Sequence, residues 1–371
     1  MTAQSPSQSP RTTTNADDRI RALLAHGQSV WLDTLSRDLV KKGGLQRLVE
    51  RGVRGMTSNP TIFAAALRDG AAYDADIKAL VGEGMTPASV FEALEVQDIQ
   101  DACDVLRPIY DRSDGGDGFV SIEVSPGCAR DTAASIEEGR RLWRSVARPN
   151  VMVKIPGTKE GWPAIEALLT EGVNVNITLL FSVTHHERVI DAYLAALEAR
   201  VAQGLAIDRV ASVASFFVSR VDTAVDKRVG DAQRGKTGIA NAKIAYAQFR
   251  TRFADARFER LRQRGARVQR PLWASTGTKD PAYSDVMYVD GLIGADTVNT
   301  LPQKTLDAFV DHGQVQRTVD VGVDEARAHV AALQRAGVDL EAVAQQLEDE
   351  GVASFAKSYD ELLAIIRARA A

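Results

Sequence analysis

The chain has 371 residues and a formal net charge of −4 at pH 7. Its content of 45% hydrophobic and 25% charged residues is typical of a soluble globular protein, and its length suits one large α/β domain or two average ones. The slightly acidic charge argues against general binding to nucleic acid or to an anionic membrane surface, and no apolar run approaches the roughly 20 residues needed to cross a bilayer.

The N-terminal segment and the cysteines indicate the cellular setting. Residues 1–16 are rich in Ser, Thr, Gln and Pro without an apolar core, which predicts a disordered tail and not a secretory signal. Cys103 and Cys128 belong to no CxxC pair or Cys/His cluster, so we expect reduced thiols in a cytoplasmic protein. The adjacent His185 and His186 would point to different sides of a helix, so no metal site is expected there.

Short apolar segments alternate with longer amphipathic segments along most of the chain. The eight predicted strands are Ser29–Leu35, Gly52–Thr57, Gly118–Val124, Asn150–Ile155, Val173–Leu180, Arg209–Phe217, Pro271–Thr276 and Asp296–Thr300. The helical patterns between them include Pro87–Arg107, Asp131–Ala147, Lys159–Glu171, Thr184–Ala202 and Lys236–Arg264. Strand followed by helix, about eight times over roughly 250 residues, is the pattern of an α/β protein with a (β/α)₈ barrel. An open doubly wound sheet is the competing architecture, and the number of strands favours the barrel.

The pattern changes after the last predicted strand, where helices continue alone. They are predicted at Asp324–Ala336, Asp339–Leu347 and Val352–Ala370, with Gly337 and Gly351 between them. We therefore expect a barrel domain over residues 17–320 and additional C-terminal helices, residues 321–371, packed on the barrel.

Several predicted strands carry a polar residue near the C-terminal end of one face. Asp33, Glu123, Lys154 and Thr178 are examples, and each alternates with apolar residues. An antiparallel sheet with one wet face would give the same alternation, but antiparallel strands need only short turns, and these connections are long. In a closed parallel barrel, such side chains would converge at the mouth where barrel enzymes bind substrate.

Lys154 lies in an apolar strand and has two explanations. A structural lysine would be paired with an acid, or would lie flat with its ammonium in water. In the second explanation, burial disfavours the ammonium form, and the neutral amine attacks a carbonyl to form a Schiff base. The protonated imine then accepts electrons from a breaking C–C bond while an acid–base group such as Asp33 or Glu123 moves protons. This chemistry needs no metal or other cofactor.

A phosphate site is indicated near the last strands. Arg220, Ser275 and Lys279 lie at or beyond the ends of the sixth and seventh predicted strands, where barrels often bind phosphate. Residues 275–279 lack the GxxxxGK[ST] pattern of a P-loop, so an ordinary Gly/Thr turn is the alternative.

Three blocks of the sequence resemble the transaldolase family. Gly55–Phe63 (GMTSNPTIF) resembles its N-terminal signature, and Val151–Ser182 resembles the segment around its Schiff-base lysine. Ser215–Asp222 (SFFVSRVD) resembles a block that lies beside the substrate. The resemblance extends from about Asp33 to about Leu301, and the extra helices are similar to those of the longer bacterial branch. It implies a (β/α)₈ TIM barrel of the class I aldolase type.

The resemblance also implies an activity in the non-oxidative pentose phosphate pathway. A dihydroxyacetone unit would pass from sedoheptulose 7-phosphate to glyceraldehyde 3-phosphate, giving erythrose 4-phosphate and fructose 6-phosphate. The implied catalytic residues are Lys154, which forms the imine, Asp33, which moves the hydroxyl proton, and Glu123, which acts with Thr178 and a water. The implied binding residues are Asn59, Asn176 and Ser215 for the dihydroxyacetone unit, Phe217 for the pocket wall, and Arg220 and Ser275 for phosphate.

One position departs from the family pattern. Shorter members have an arginine two residues after the serine that corresponds to Ser275, and this chain has Gly277 there. We expect Lys279 to supply the charge, as a point charge and not as a bidentate fork.

Two other functions are open at this point. One is a related Schiff-base fructose-6-phosphate aldolase that releases free dihydroxyacetone. The other is a catalytically silent barrel that binds sugar phosphates. A monomer and a homodimer are both compatible with the sequence.

Overall fold

Eight parallel strands close into a barrel in the computed structural model, which describes residues 16–370. The strands are β1 (Gln28–Leu32), β2 (Gly55–Met56), β3 (Val120–Glu123), β4 (Val151–Pro156), β5 (Val175–Leu180), β6 (Ser212–Phe217), β7 (Arg270–Ala274) and β8 (Thr297–Leu301). β1 pairs with β8 in one unbroken register, from Gln28 opposite Thr297 to Leu32 opposite Leu301. The predicted barrel is therefore confirmed, and the open doubly wound sheet is wrong.

Helices connect and surround the strands. Within the described range they are α1 (Ala16–Ala25), α2 (Arg37–Lys41), α3 (Gly44–Arg51), α4 (Pro60–Asp69), α5 (Asp74–Gly82), α6 (Pro87–Arg112), α7 (Thr132–Val146), α8 (Gly161–Glu171), α9 (Val183–Ala202), α10 (Ser219–Val225), α11 (Thr237–Arg252), α12 (Ala256–Arg262), α13 (Met287–Asp290), α14 (Gln303–His312), α15 (Val323–Arg335) and α16 (Leu340–Ala370). Short 3₁₀ helices lie at Pro126–Arg130 and Asp231–Gln233. Among the described helices, none combines the length and apolar character needed to cross a bilayer.

The predicted disordered tail, residues 1–16, lies outside the described residues except for its last member. That residue, Ala16, is helical and lies in α1, so this one position of the predicted tail is not disordered.

The outward faces of the strands hold the barrel to its helices. In β4, Val151, Val153 and Ile155 are fully buried, and α7 and α8 pack against this strand. Burying each such side chain contributes about 1.5–3 kcal/mol of transfer free energy. This face therefore forms the core between barrel and helices, and the other face of β4, with Met152 and Lys154, is left for the barrel interior.

Side-chain caps fix where the helices begin after the strands. The Asn59 side chain accepts a hydrogen bond from the Ile62 amide, with Pro60 at the first position of α4. The Ser182 hydroxyl accepts one from the His185 amide at the start of α9. Because each cap satisfies an amide that has no partner within its helix, the helix can begin only a few residues after the strand ends.

The predicted break at Gly351 is wrong. The second and third predicted C-terminal helices form one continuous helix, α16, which passes through Gly351. A Cβ at this position would lie 2.8 Å from Leu179 Cδ2, so the glycine lets the helix approach the barrel closely and does not end it. α16 contacts α4, α5, α6, α10 and β5.

Candidate active site

A cavity of about 270 Å³ opens at the C-terminal ends of the strands. The predicted site residues that line it are Asp33, Asn59, Lys154, Thr178, Ser215, Phe217, Arg220, Ser275 and Lys279. The two other predicted residues, Glu123 and Asn176, lie next to members of this set. Residues from seven of the eight strands or the segments that follow them thus meet at one mouth.

Lys154 lies near the C-terminal end of β4, with its side chain almost completely buried. Its Nζ lies 3.0 Å from Glu123 Oε2 in an ion pair and donates a hydrogen bond to the Ser58 carbonyl at 3.2 Å. Lys154 and Glu123 are register partners on β4 and β3, so both side chains extend to the same face. The Phe355 ring from α16 lies 5.8 Å from Nζ. The amine is therefore held beside a carboxylate that can accept its proton.

Two carboxyl groups flank Lys154 and differ in their surroundings. Burial raises the pKa of both Asp33 and Glu123, and the Lys154 charge opposes the rise in each. The Thr57 hydroxyl donates a 2.6 Å hydrogen bond to Asp33 Oδ1 and lies 2.8 Å from the Thr300 hydroxyl. Carboxyl groups with raised pKa values are suited to take and return protons near neutral pH.

An irregularity in β5 places Thr178 at the cavity. The register with β6 shifts between Ile177 and Leu180, and Leu179 has a left-handed φ of 61°. Thr178 Oγ1 is buried and has no hydrogen-bond partner among residues 16–370. Because buried hydroxyl groups are normally paired, this one is available to a ligand or a water.

The two predicted amides differ in their availability. Asn59 uses its Oδ1 to cap α4, which leaves its Nδ2 as a donor at the cavity. Asn176 donates to Ser121 Oγ at 2.9 Å and accepts from Ser215 Oγ at 2.7 Å. Its side chain therefore orients Ser215, and its contact with substrate stays a prediction.

The far end of the cavity is cationic. The Arg220 guanidinium lies 5.4 Å from the Phe217 ring centre, and burial lowers the pKa of Arg220 against the opposing charge of Glu350. Ser275 has a left-handed φ of 54°, and its hydroxyl lies 2.9 Å from the Ser219 hydroxyl. Lys279 is exposed on the following loop and also lines the cavity. An anionic group of a ligand would be attracted to this end.

Sequence reasoning missed some residues of the site. Thr57 and Thr300 stand at the ends of the second and eighth predicted strands, so the alternation that marked the other strands could have found them. Phe355 lies in the last helix, and nothing in the local sequence points to its position beside Lys154.

A closed parallel barrel with a buried lysine and two carboxyl groups at its mouth is the arrangement of a Schiff-base aldolase. Comparison with known proteins agrees with this class. The family described as Transaldolase/Fructose-6-phosphate aldolase matches residues 30–366. The chain belongs to this family.

Similar proteins cover nearly the whole chain. A transaldolase of Thermobifida fusca is 50% identical over 346 residues, covering 91% of this chain and 94% of that protein. A transaldolase of Mycobacterium tuberculosis is 47% identical over 378 residues, covering 99% and 98%. A protein named transaldolase 2 from Nostoc is 47% identical over 358 residues, covering 91% and 94%. The predicted family is thereby confirmed.

Proposed function

We propose that the chain is a transaldolase that transfers a dihydroxyacetone unit from sedoheptulose 7-phosphate to glyceraldehyde 3-phosphate, giving erythrose 4-phosphate and fructose 6-phosphate. The observation that carries the proposal is the position of Lys154 Nζ, 3.0 Å from Glu123 Oε2 at a cavity that Asp33 also lines. The names of the similar proteins favour group transfer over release of free dihydroxyacetone.

Imine formation would use the Lys154–Glu123 pair. Glu123 takes a proton from the Lys154 ammonium, and the neutral amine attacks the ketone of the donor sugar. Glu123 then returns the proton to the hydroxyl of the carbinolamine, which leaves as water. Thr178 Oγ1 has the free hydrogen-bonding capacity needed to bind that water. The step leaves a protonated imine beside the Glu123 carboxylate.

Carbon–carbon cleavage would use Asp33. Its carboxylate takes the proton of the hydroxyl next to the breaking bond, and the electrons of that bond move to the protonated imine. The aldehyde product leaves, and a neutral enamine stays attached to Lys154. The acceptor aldehyde then enters, and the same steps run in reverse.

Binding of the sugar phosphate would divide between the two ends of the cavity. Asn59 and Ser215 would hold the dihydroxyacetone unit beside Lys154. Arg220, Ser275 and Lys279 would bind the phosphate, with Lys279 supplying the charge that Gly277 cannot. The barrel over residues 17–320 would thus contain the reacting groups, and the C-terminal helices would complete the wall.

We also infer a cytoplasmic location. Cys103 and Cys128 are both unpaired and buried, which is usual for proteins of a reducing compartment.

A coupled assay tests the proposed transfer. Fructose 6-phosphate is supplied with and without erythrose 4-phosphate, and release of glyceraldehyde 3-phosphate is followed. We expect sustained release only with the acceptor. Equal release without it, with free dihydroxyacetone, would instead identify the aldolase. Absence of any release, with sugar-phosphate binding that survives Lys154→Ala, would identify a silent binding barrel.

A further inference from the structure

Two tyrosine–aspartate pairs join α10 to the segment between β7 and β8. Tyr283 Oη donates a 2.7 Å hydrogen bond to Asp226 Oδ2, and Tyr288 Oη donates a 2.9 Å hydrogen bond to Asp222 Oδ2. Asp222 lies in α10 and Asp226 caps its C-terminal end. Because the aspartates are four residues apart, they lie on the same side of the helix. The segment is therefore tied to α10 at two points one turn apart.

Backbone amides hold both aspartates in place. The Gly235 amide donates to Asp226 Oδ1 at 2.9 Å, and the Gly238 amide donates to Asp222 Oδ1 at 2.8 Å. Gly235 has a left-handed φ of 66°, and a Cβ there would lie 2.8 Å from Tyr283 Cζ. Only glycine adopts this φ and leaves room for the ring without strain, so the backbone at Gly235 is shaped to receive Tyr283.

The elements that these pairs join carry the cationic residues of the cavity. Arg220 belongs to α10, and Lys279 belongs to the tied segment. Lys279 also borders a second cavity, of about 550 Å³, whose lining includes Asp222, Asp226 and Asp280. Lys279 is exposed and forms no ion pair within residues 16–370. Asp280 is paired with Arg234, and Asp222 and Asp226 accept hydrogen bonds from the tyrosines, so no carboxylate of this second cavity holds the Lys279 ammonium.

We propose that the pairs Asp226–Tyr283 and Asp222–Tyr288 are positioning residues for phosphate recognition. They hold the backbone around Lys279 so that its ammonium and the Arg220 guanidinium face one phosphate. This inference rests on the proposed function, in which that end of the cavity binds phosphate. The pairs touch none of the reacting atoms, so their loss raises KM for phosphorylated sugars and leaves kcat nearly unchanged.

Tyr283→Phe tests the inference because it removes one hydroxyl from the partly exposed pair. We expect KM for fructose 6-phosphate to rise about three- to tenfold, the ordinary effect of one lost hydrogen bond. The kcat/KM for unphosphorylated fructose should be unchanged. Tyr246→Phe is the matched control, since it removes a 3.0 Å hydrogen bond to the Ala295 carbonyl away from the site.

A double mutant shows whether the effect passes through Lys279. If it does, Tyr283→Phe raises KM much less in the Lys279→Ala background than in the wild type. The inference would be overturned if the fold-changes in KM of the two single mutants multiply in full in the double mutant. It would also be overturned if KM is unchanged in Tyr283→Phe, or if kcat/KM for unphosphorylated fructose falls equally.

A direct binding measurement separates this inference from the proposed function. Calorimetric binding of fructose 6-phosphate to the same variants, each also carrying Lys154→Ala so that no imine forms, gives the comparison without turnover. Weaker binding in Tyr283→Phe, with binding unchanged in Tyr246→Phe, supports the positioning role even if the wild type fails to transfer the three-carbon unit. Unchanged binding in Tyr283→Phe contradicts it even if transfer is normal.

Discussion

The pKa of the Asp33 carboxyl group is set by opposing effects. Burial raises the pKa of this carboxyl group, whereas the charge of Lys154, the hydrogen bond from Thr57 and the charge of Lys279 lower it. In the proposed mechanism, cleavage of the sugar requires the ionised form, because only the carboxylate can accept the hydroxyl proton. We therefore expect the ionisation of Asp33 to set the acidic limb of the pH profile, above the ordinary range of an aspartate.

Thr57→Val should move this acidic limb to higher pH. The substitution removes the 2.6 Å hydrogen bond to the Asp33 carboxylate, so the protonated form persists to higher pH. At the pH optimum we expect a loss in kcat of less than about tenfold, since the bond shifts a proton equilibrium and leaves the lysine intact. The measurement is kcat/KM against pH.

Thr61→Val is the control for this prediction. Thr61 lines the same cavity, but its hydroxyl contacts Ser358 and not Asp33. The acidic limb of the Thr61→Val pH profile should match that of the wild type. If the acidic limb of the Thr57→Val pH profile stays in place or moves to lower pH, Asp33 does not set the acidic limb.

Helix α16 connects the end of the chain to the active site. Its Phe355 lies beside Lys154, and one turn earlier its Gly351 packs on Leu179, the residue that follows Thr178. The close approach at Gly351 therefore decides how near the helix lies to the irregular end of β5.

Gly351→Ala should destabilise the fold. Overpacking against Leu179 costs about 1–3 kcal/mol, and the better helix propensity of alanine returns up to about 1 kcal/mol. We expect the free energy of unfolding in urea to fall by about 1–2 kcal/mol. Gly82→Ala in α5 is the matched control, because a Cβ there meets nothing within 4 Å, and it should be neutral or stabilising. A Gly351→Ala variant as stable as Gly82→Ala would contradict this packing role.

The barrel and the positions of Lys154 and Glu123 follow from local patterns in the sequence. Strand periodicity gave their faces, and the parallel register places them side by side. Features that depend on distant packing could not be predicted in this way. Gly351 has the low helix propensity of a break, yet packing on Leu179 keeps the helix continuous. The left-handed φ at Leu179 has no local sequence signature either.

At the scale of the whole molecule, the active site is built from residues at or just beyond the ends of the strands. β2 is only Gly55–Met56, shorter than the predicted strand Gly52–Thr57, and it pairs with β1 at two positions and with β3 at one. The cavity takes Asp33 from the segment after β1 and Phe355 from the last helix. Closure of the barrel and packing of α16 on its mouth therefore assemble one site from residues spread over more than 300 positions.

Reductive trapping tests most directly whether this assembly makes Lys154 an imine-forming residue. The protein is treated with borohydride in the presence of fructose 6-phosphate, and the modified peptide is identified by mass spectrometry. We predict one sugar-derived adduct, on Lys154, that is lost in Lys154→Ala. An unmodified Lys154, or an adduct on another lysine such as Lys279, would contradict the account.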